Sequence, residues 1–165
     1  MYIKEFEVRW SDVDANRHLA NNAYINFMSH TRMAFLWELG FSQKILGEHQ
    51  IGPVVFYEHM YYFKEVFPGY PIKVSLEVVG MSDDGKFFEF HHNFYDNKGK
   101  NVAHCEMMGA WMDLSTRGLI SLPEQLLKIF DKVERPKGFR FLTKEDTRRF
   151  AKVPKDLSND LSGFV

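Results

Sequence analysis

Between Asp12 and Asn22 the chain places two aspartates, three asparagines, an arginine and a histidine, within the stretch SDVDANRHLANNAYINF over residues 11–27. These side chains move protons and bind charge. A carboxylate such as Asp14 can attack a carbonyl carbon or take a proton from water. A neutral imidazole such as His18 both donates and accepts a hydrogen bond, and Asn16 can orient a water or the carboxylate. An amphipathic helix begins directly afterwards. The backbone N–H groups of Asn21 and Asn22 therefore lie where a developing oxyanion can be held. The same residue types also suit an Asx-rich loop that does no more than cap that helix.

The elements that must position these residues follow from hydrophobic period. Residues 2–10 alternate, with Phe6, Val8 and Trp10 on one face and Glu5, Glu7 and Arg9 on the other, which predicts a half-buried strand. Tyr24, Phe27, Met28, Phe35, Leu36 and Leu39, with Thr31 between, predict a helix over 23–39, with Asn22 as N-cap and Gly40 as its stop. Residues 41–52 read as a short helix or loop. Four strands follow, over 53–66, 71–79, 86–96 and 101–114, separated by the turns FPGY, MSDDGK and DNKGK. In the strand over 86–96, Phe88, Phe90 and Phe94 share one face and Glu89, His91 and Asn93 the other. SLPEQLLKIFDKV reads as a short amphipathic helix opened by Ser121 and Pro123. The order β-α-β-β-β-β predicts an α+β fold, one helix packed on one side of a mostly antiparallel sheet.

A chain of 165 residues suits one domain with a real core. The expected division is a main body over 1–125, with 126–165 a peripheral helix and charged tail of the same domain. Sixteen Phe in an aromatic share of 16% lean the composition towards a sheet. A net charge of -1 gives no electrostatic ground for binding nucleic acid or a membrane surface. Cys105 stands alone and forms no intramolecular disulfide. No apolar run reaches the ~18 residues that cross a bilayer, and MYIKEFEVRW lacks a signal core. A cytoplasmic protein is the expectation.

With the D-x-D segment Asp12–Asp14 at the end of the first strand, and Asn21-x-x-Tyr24 opening the helix, the chain resembles the hotdog-fold thioesterases, in particular the 4-hydroxybenzoyl-CoA thioesterase-like acyl-CoA hydrolases. The likeness covers roughly residues 1–125 and includes the R-x-x-x-x-LPE ending, Arg117 to Glu124. Asp14, Asn16 and His18, at alternate positions, also look like the corresponding stretch of plant acyl-carrier-protein thioesterases. The resemblance implies a five-stranded antiparallel sheet wrapped around one long central helix. It implies acyl-thioester hydrolysis, with acyl-CoA or an acyl carrier protein as substrate, no cofactor, and a role in lipid metabolism. Asp14 becomes the nucleophile or general base, and Tyr24 a residue touching substrate. It further implies a homodimer or homotetramer that builds its site at the subunit boundary.

Other residues compete for parts. Asp12 suits a loop-holding role through backbone N–H groups. Glu65, beside the FPGY turn, and Glu58 are the second-strand carboxylates that could join Asp14, though a strand-end Glu is ordinarily solvated. His59, His91, His92 and His104 show no metal-ligand spacing, and strand neighbours such as His91 and His92 point to opposite faces; no metal is expected. Cys105 reads as a small buried hydrophobe rather than a nucleophile. Lys64, Lys86, Lys98, Lys100, Arg148 and Arg149 are the cations available to CoA phosphates. A hydroxyacyl dehydratase on the same fold would need a His just before Phe67-Pro68-Gly69, where this chain has Val66. A non-catalytic acyl-CoA-binding module would have no use for the Asp14 carboxylate.

Overall fold

In the computed structural model, which describes residues 1–150 and 152–156, five strands form an antiparallel sheet. These are β1 (Tyr2–Phe6), β2 (Ile51–Tyr62), β3 (Ile72–Met81), β4 (Phe87–Tyr95) and β5 (Asn101–Asp113). Their order across the sheet is β1-β3-β4-β5-β2. The two-residue strand β6 (Arg140–Phe141) adds to β3 in parallel, at Gly80 and Met81. The helix α1 (Asn21–Glu38) has 18 residues, and α2 (Gln43–Glu48) and α3 (Glu124–Leu127) are short.

α1 lies on one face of the sheet with Ala23, Tyr24, Phe27, Met28, Thr31, Arg32, Phe35 and Leu36 buried. Phe27 stacks on Phe6, and Tyr24 and Phe35 meet Phe94 and Phe90 edge-on. Each buried side chain of this size contributes about 1.5–3 kcal/mol, well above the few tenths that intrinsic propensity supplies. Packing therefore holds the helix, despite the Ser, Thr and Asn within it. Its end is a Schellman turn: Gly40 at φ 100° donates to Trp37 O, and Phe41 N donates to Leu36 O. Phe41, fully buried, then stacks on Trp111.

Several boundaries differ from the periodic reading, each for a local reason. The first strand stops at Phe6. Arg9 N and its guanidinium bond the Asp12 carboxylate, and Asp12 N returns to Arg9 O, so the chain turns and leaves Trp10 79% exposed. Val8 is still buried. β2 runs from Ile51 rather than Pro53, and its register slips between Val55 and Tyr57. It ends at Tyr62, because Phe63 N and Lys64 N both turn to the single acceptor Val102 O. The helix begins at Asn21 with Ala20, not Asn22, as N-cap. The segment expected to be one helix from Ser121 shortens to α3, N-capped by Pro123, followed by a 3-10 turn over Lys128–Lys132.

β4 alternates as expected, and the alternation separates two burial environments. Phe88, Phe90, His92 and Phe94 face α1 and are buried. On the outer face Glu89 is also buried, 2% exposed, because Arg140 of β6 bonds it at 2.6 Å and Arg149 approaches at 3.7 Å. Leu142 follows β6 and packs with Phe87, Met108 and Ala110 in a second, smaller apolar cluster. Leu122, Leu126 and Phe130 join the main core. No helix is long and apolar enough to cross a membrane among the described residues.

Candidate active site

The loop from β1 to α1 is a miniature hairpin. Val13 and Leu19 form an antiparallel bridge, Asp14 N donates to His18 O at 2.9 Å, and Arg17 N donates to Asp14 O at 3.0 Å. Arg17 takes φ 64° to close the turn. Asp14 Oδ1 accepts from the backbone N–H groups of Asn16 (2.8 Å) and His18 (3.1 Å), an Asx turn that pins the carboxylate by one oxygen. Its Oδ2 makes no hydrogen bond among the described residues, and the side chain is exposed. Ala20 N to Asp12 O and Leu19 N to Val66 O tie the loop on both sides.

Asp12 has the holding role expected of it. Burial alone would raise its pKa. The hydrogen bonds and charge of Arg9 outweigh that and hold the carboxyl below its ordinary value. It is committed, whereas Asp14 is free at one oxygen.

A recess of about 390 Å³ opens beside this loop. Asp14, His18, Asn21 and Tyr24 line one side; Tyr62, Phe63, Lys64 and Glu65 line the other. The His18 ring meets Phe67 edge-on at 5.0 Å. Tyr24, 3% exposed, meets Tyr62 edge-on at 5.2 Å, and burial followed by Tyr62 pushes its phenol up to about 12, so it stays protonated. A neighbouring recess of about 340 Å³ shares Lys64, Glu65 and Val66 and continues along Phe67, Tyr70 and Lys98. A hollow of similar size, about 350 Å³, between Tyr2, Phe35 and Val133 holds no residue of the polar loop. The polar groups, not volume, therefore single out the first.

The N-terminus of α1 faces this recess without a conventional cap. Ala20 offers no side-chain acceptor, and such a cap is ordinarily worth about 1 kcal/mol. Asn22 N donates instead to Asn21 Oδ1 at 2.9 Å, and Asn21 N has no partner among the described residues.

The structure thus brings Asp14, His18, Asn21, Tyr24 and Glu65 to one recess and leaves others out. Asn16 gives its backbone N–H to Asp14, while its side chain stands outside the lining. Glu65 lies in the loop beyond β2 rather than on the strand. Glu58 is turned to the inner side of β2, where Arg32 of α1 bonds it at 2.8 Å, with side chains 10% and 18% exposed. Arg32 is the polar residue that sequence reasoning passed over. Its position four residues after Met28 and four before Leu36 puts it on the buried stripe, where a cation requires a buried partner. Of the cations, Lys64 and Lys98 border the recesses, Lys64 with Asp96 at 3.8 Å; Lys86 pairs with Asp84 and Arg149 with Glu89 and Glu106. Cys105 is fully buried, and burial pushes its thiol up to about 12, which removes it as a nucleophile.

A family model described as the thioesterase-like superfamily matches residues 8–161. The chain belongs to that superfamily, and its class is that of a thioester hydrolase. The same fold is found in solved thioesterases. The chain is similar to a DHNA-CoA thioesterase from Staphylococcus aureus (TM-score 0.72, 17% identity over 92% of this chain and 95% of that one). It is also similar to a hypothetical Staphylococcus aureus protein solved in complex with CoA (0.74, 19%, 93% and 94%). A third likeness is to a 1,4-dihydroxy-2-naphthoyl-CoA thioesterase from Synechocystis (0.70, 14%, 82% and 98%). No curated protein matches the chain.

Proposed function

We propose that this thioester hydrolase acts on acyl-CoA, with Asp14 as the catalytic carboxylate. The observation that carries the reading is the convergence on one recess of a carboxylate held by a single oxygen and an uncapped helix N-terminus. A thioester carbonyl seated there meets Asp14 Oδ2 at its carbon side and the Asn21 N–H at its oxygen. As general base, Asp14 takes the proton of an attacking water. The carbonyl oxygen gains negative charge against the helix start, the C–S bond breaks, and the sulfur leaves as a thiol after receiving a proton. As nucleophile, Asp14 adds to the carbonyl carbon, the C–S bond breaks to release the thiol, and water opens the resulting acyl anhydride at the Asp14 carboxyl carbon. A single turnover in 18O-water separates the two routes, since only the second leaves label in the protein. The Asn22 N–H joins the oxyanion site when the Asn21 side chain swings away. His18, whose ring nitrogens have no partner among the described residues, positions water or leaving group; Asn16 keeps a role in holding the loop.

Lys64 and Lys98, along the neighbouring recess, favour a phosphate-bearing carrier such as CoA over an acyl carrier protein. The CoA bound to the structurally similar Staphylococcus protein supports the same choice. In this reading α1 is the central helix of a hotdog fold, and residues 1–125 with the tail that follows form one domain. The protein works as a homodimer in the cytoplasm. The β2 edge opposite β5 supports the dimer: it is twelve residues long, and Val55, Phe56, Tyr61 and Tyr62 are exposed on the strand. The test is a panel of acyl-CoAs followed by thiol release, with the same acyl groups on carrier protein alongside. Turnover of the carrier-protein substrates alone, or of neither set, overturns the proposal.

A further inference from the structure

The outer face of the sheet carries a second cluster of chemically capable side chains, on the opposite side from α1. His91 of β4 pairs in register with Glu106 of β5, and His104 lies two residues back on the same face. One ligand atom from each of the three lies within 4.8 Å of the other two. All three residues are half-buried and so open to a solvated ion.

We propose that His91, His104 and Glu106 form a zinc-class metal site distinct from the hydrolytic recess. Imidazole and carboxylate donors suit Zn2+, and three protein ligands leave a fourth position for water. Bonds of about 2.0–2.1 Å to one ion would draw the ligand atoms to about 3.3 Å apart, which side-chain rotation supplies without moving the strands.

An independent observation is the orientation of His104. Its Nδ1 lies 2.9 Å from Asn93 Oδ1, which also accepts from Asn101 Nδ2 at 2.7 Å. With Asn93 Oδ1 accepting from both neighbours, the neutral His104 ring carries its hydrogen on Nδ1 and keeps its lone pair on Nε2. A side-chain or backbone oxygen that fixes the tautomer in this way is the usual outer partner of a metal-bound histidine. Glu77 stands opposite His91 on β3 and adds negative charge. Arg149, 3.8 Å from Glu106, is the opposing cation, and its alternative partner Glu89 can hold it when an ion takes Glu106. The adjoining residues His92 and Cys105 face the core, which separates this site from α1 by the thickness of the sheet. The ion would join strands already paired and act on stability rather than on the thioester.

The test uses the full-length, tag-free protein stripped with chelator. The parent is expected to retain one equivalent of Zn2+ through gel filtration and to give the visible bands of four-coordinate Co2+. Free Zn2+ at 100 times its dissociation constant should raise Tm by roughly 5–10 °C. His104→Ala and Glu106→Gln should lose the equivalent and the Co2+ bands while melting as the parent does without metal. Asn93→Leu, which removes no ligand, should weaken binding roughly 10–100-fold. A parent that retains no Zn2+, or variants that bind it as tightly as the parent, overturn the assignment. The second result would place the ion on other histidines such as His49 or His59.

Discussion

Asp14 and His92 show how two residues of ordinary type become special by position. Asp14 has one oxygen tied by two backbone N–H groups and one oxygen facing the recess. Asp14→Asn keeps the shape and both accepted bonds at Oδ1 but removes the base. Steady-state kinetics should show kcat lower by roughly 10²–10⁴-fold with the melting temperature nearly unchanged. A variant as active as the parent would remove Asp14 from the mechanism. His92 is fully buried, its Nδ1 2.8 Å from Ser75 O. Burial, then the nearby Arg32 charge, pushes it down to about 3, so it stays neutral in the folded protein. The unfolded chain protonates it below its ordinary 6.5, and the folded chain does not. Stability contributed by neutral His92 is therefore complete above 6.5 and lost as pH falls towards 3, by at most about 1.4 kcal/mol per pH unit. Urea denaturation at pH 7, 6 and 5 should show this slope, and His92→Asn should flatten it. Asp14 is legible in the sequence because its loop is dense in polar residues. His92 is not, since only the fold reveals which of two adjacent histidines points inward.

At the scale of elements, strong periods were readable and their ends were not. The stripe Tyr24, Phe27, Met28, Phe35 and Leu36 identifies α1, and alternation identifies β3 and β4, because burial on one face imposes the period directly. The ends depend on single hydrogen bonds between residues distant in sequence, such as those to Val102 O that stop β2. Local pattern carries no record of them. The same holds for β6: its two residues have no period, and a buried carboxylate on β4 is what brings Arg140 to the sheet. Gly109 of β5 gives the element-scale test. A Cβ there would lie 2.6 Å from both the Phe88 ring and Val54 O, where β2 crosses close to β5 near its register slip. The carbonyl cannot move without breaking the β2–β5 pairing. Gly109→Ala should therefore cost about 2–4 kcal/mol by denaturant unfolding, and a loss below 0.5 kcal/mol would mean the two strands separate more easily than their spacing implies.

For the whole molecule, the open question of assembly falls on one edge. β5 occupies one side of β2, and the described part of the tail joins β3 and crosses the outer face, leaving the other β2 edge uncovered among the described residues. A long apolar edge of this kind pairs or aggregates unless charged residues guard it. Light scattering at micromolar concentration is expected to give twice the 19.4 kDa of one chain. Val55→Lys together with Phe56→Lys should shift it towards the single-chain mass, with activity falling in parallel if the recess is completed by the second copy. A parent that is fully active at 19.4 kDa would show the site complete within one chain.

The small cluster that Leu142 closes over Phe87, Met108 and Ala110 also sets an order of events during biosynthesis. β4 and β5 can pair once Asp113 has emerged from the ribosome, yet the residue that covers their outer apolar patch follows about thirty positions behind. At 5–20 residues per second that interval is roughly 1.5–6 s. Over that time a nearly complete sheet presents Phe87 and Met108 to solvent, with the Glu89 carboxylate still awaiting Arg140. The nascent chain is then most open to chaperones and to its neighbours on the polysome. Slowing translation after Asp113 would lengthen the exposure without altering the protein finally produced.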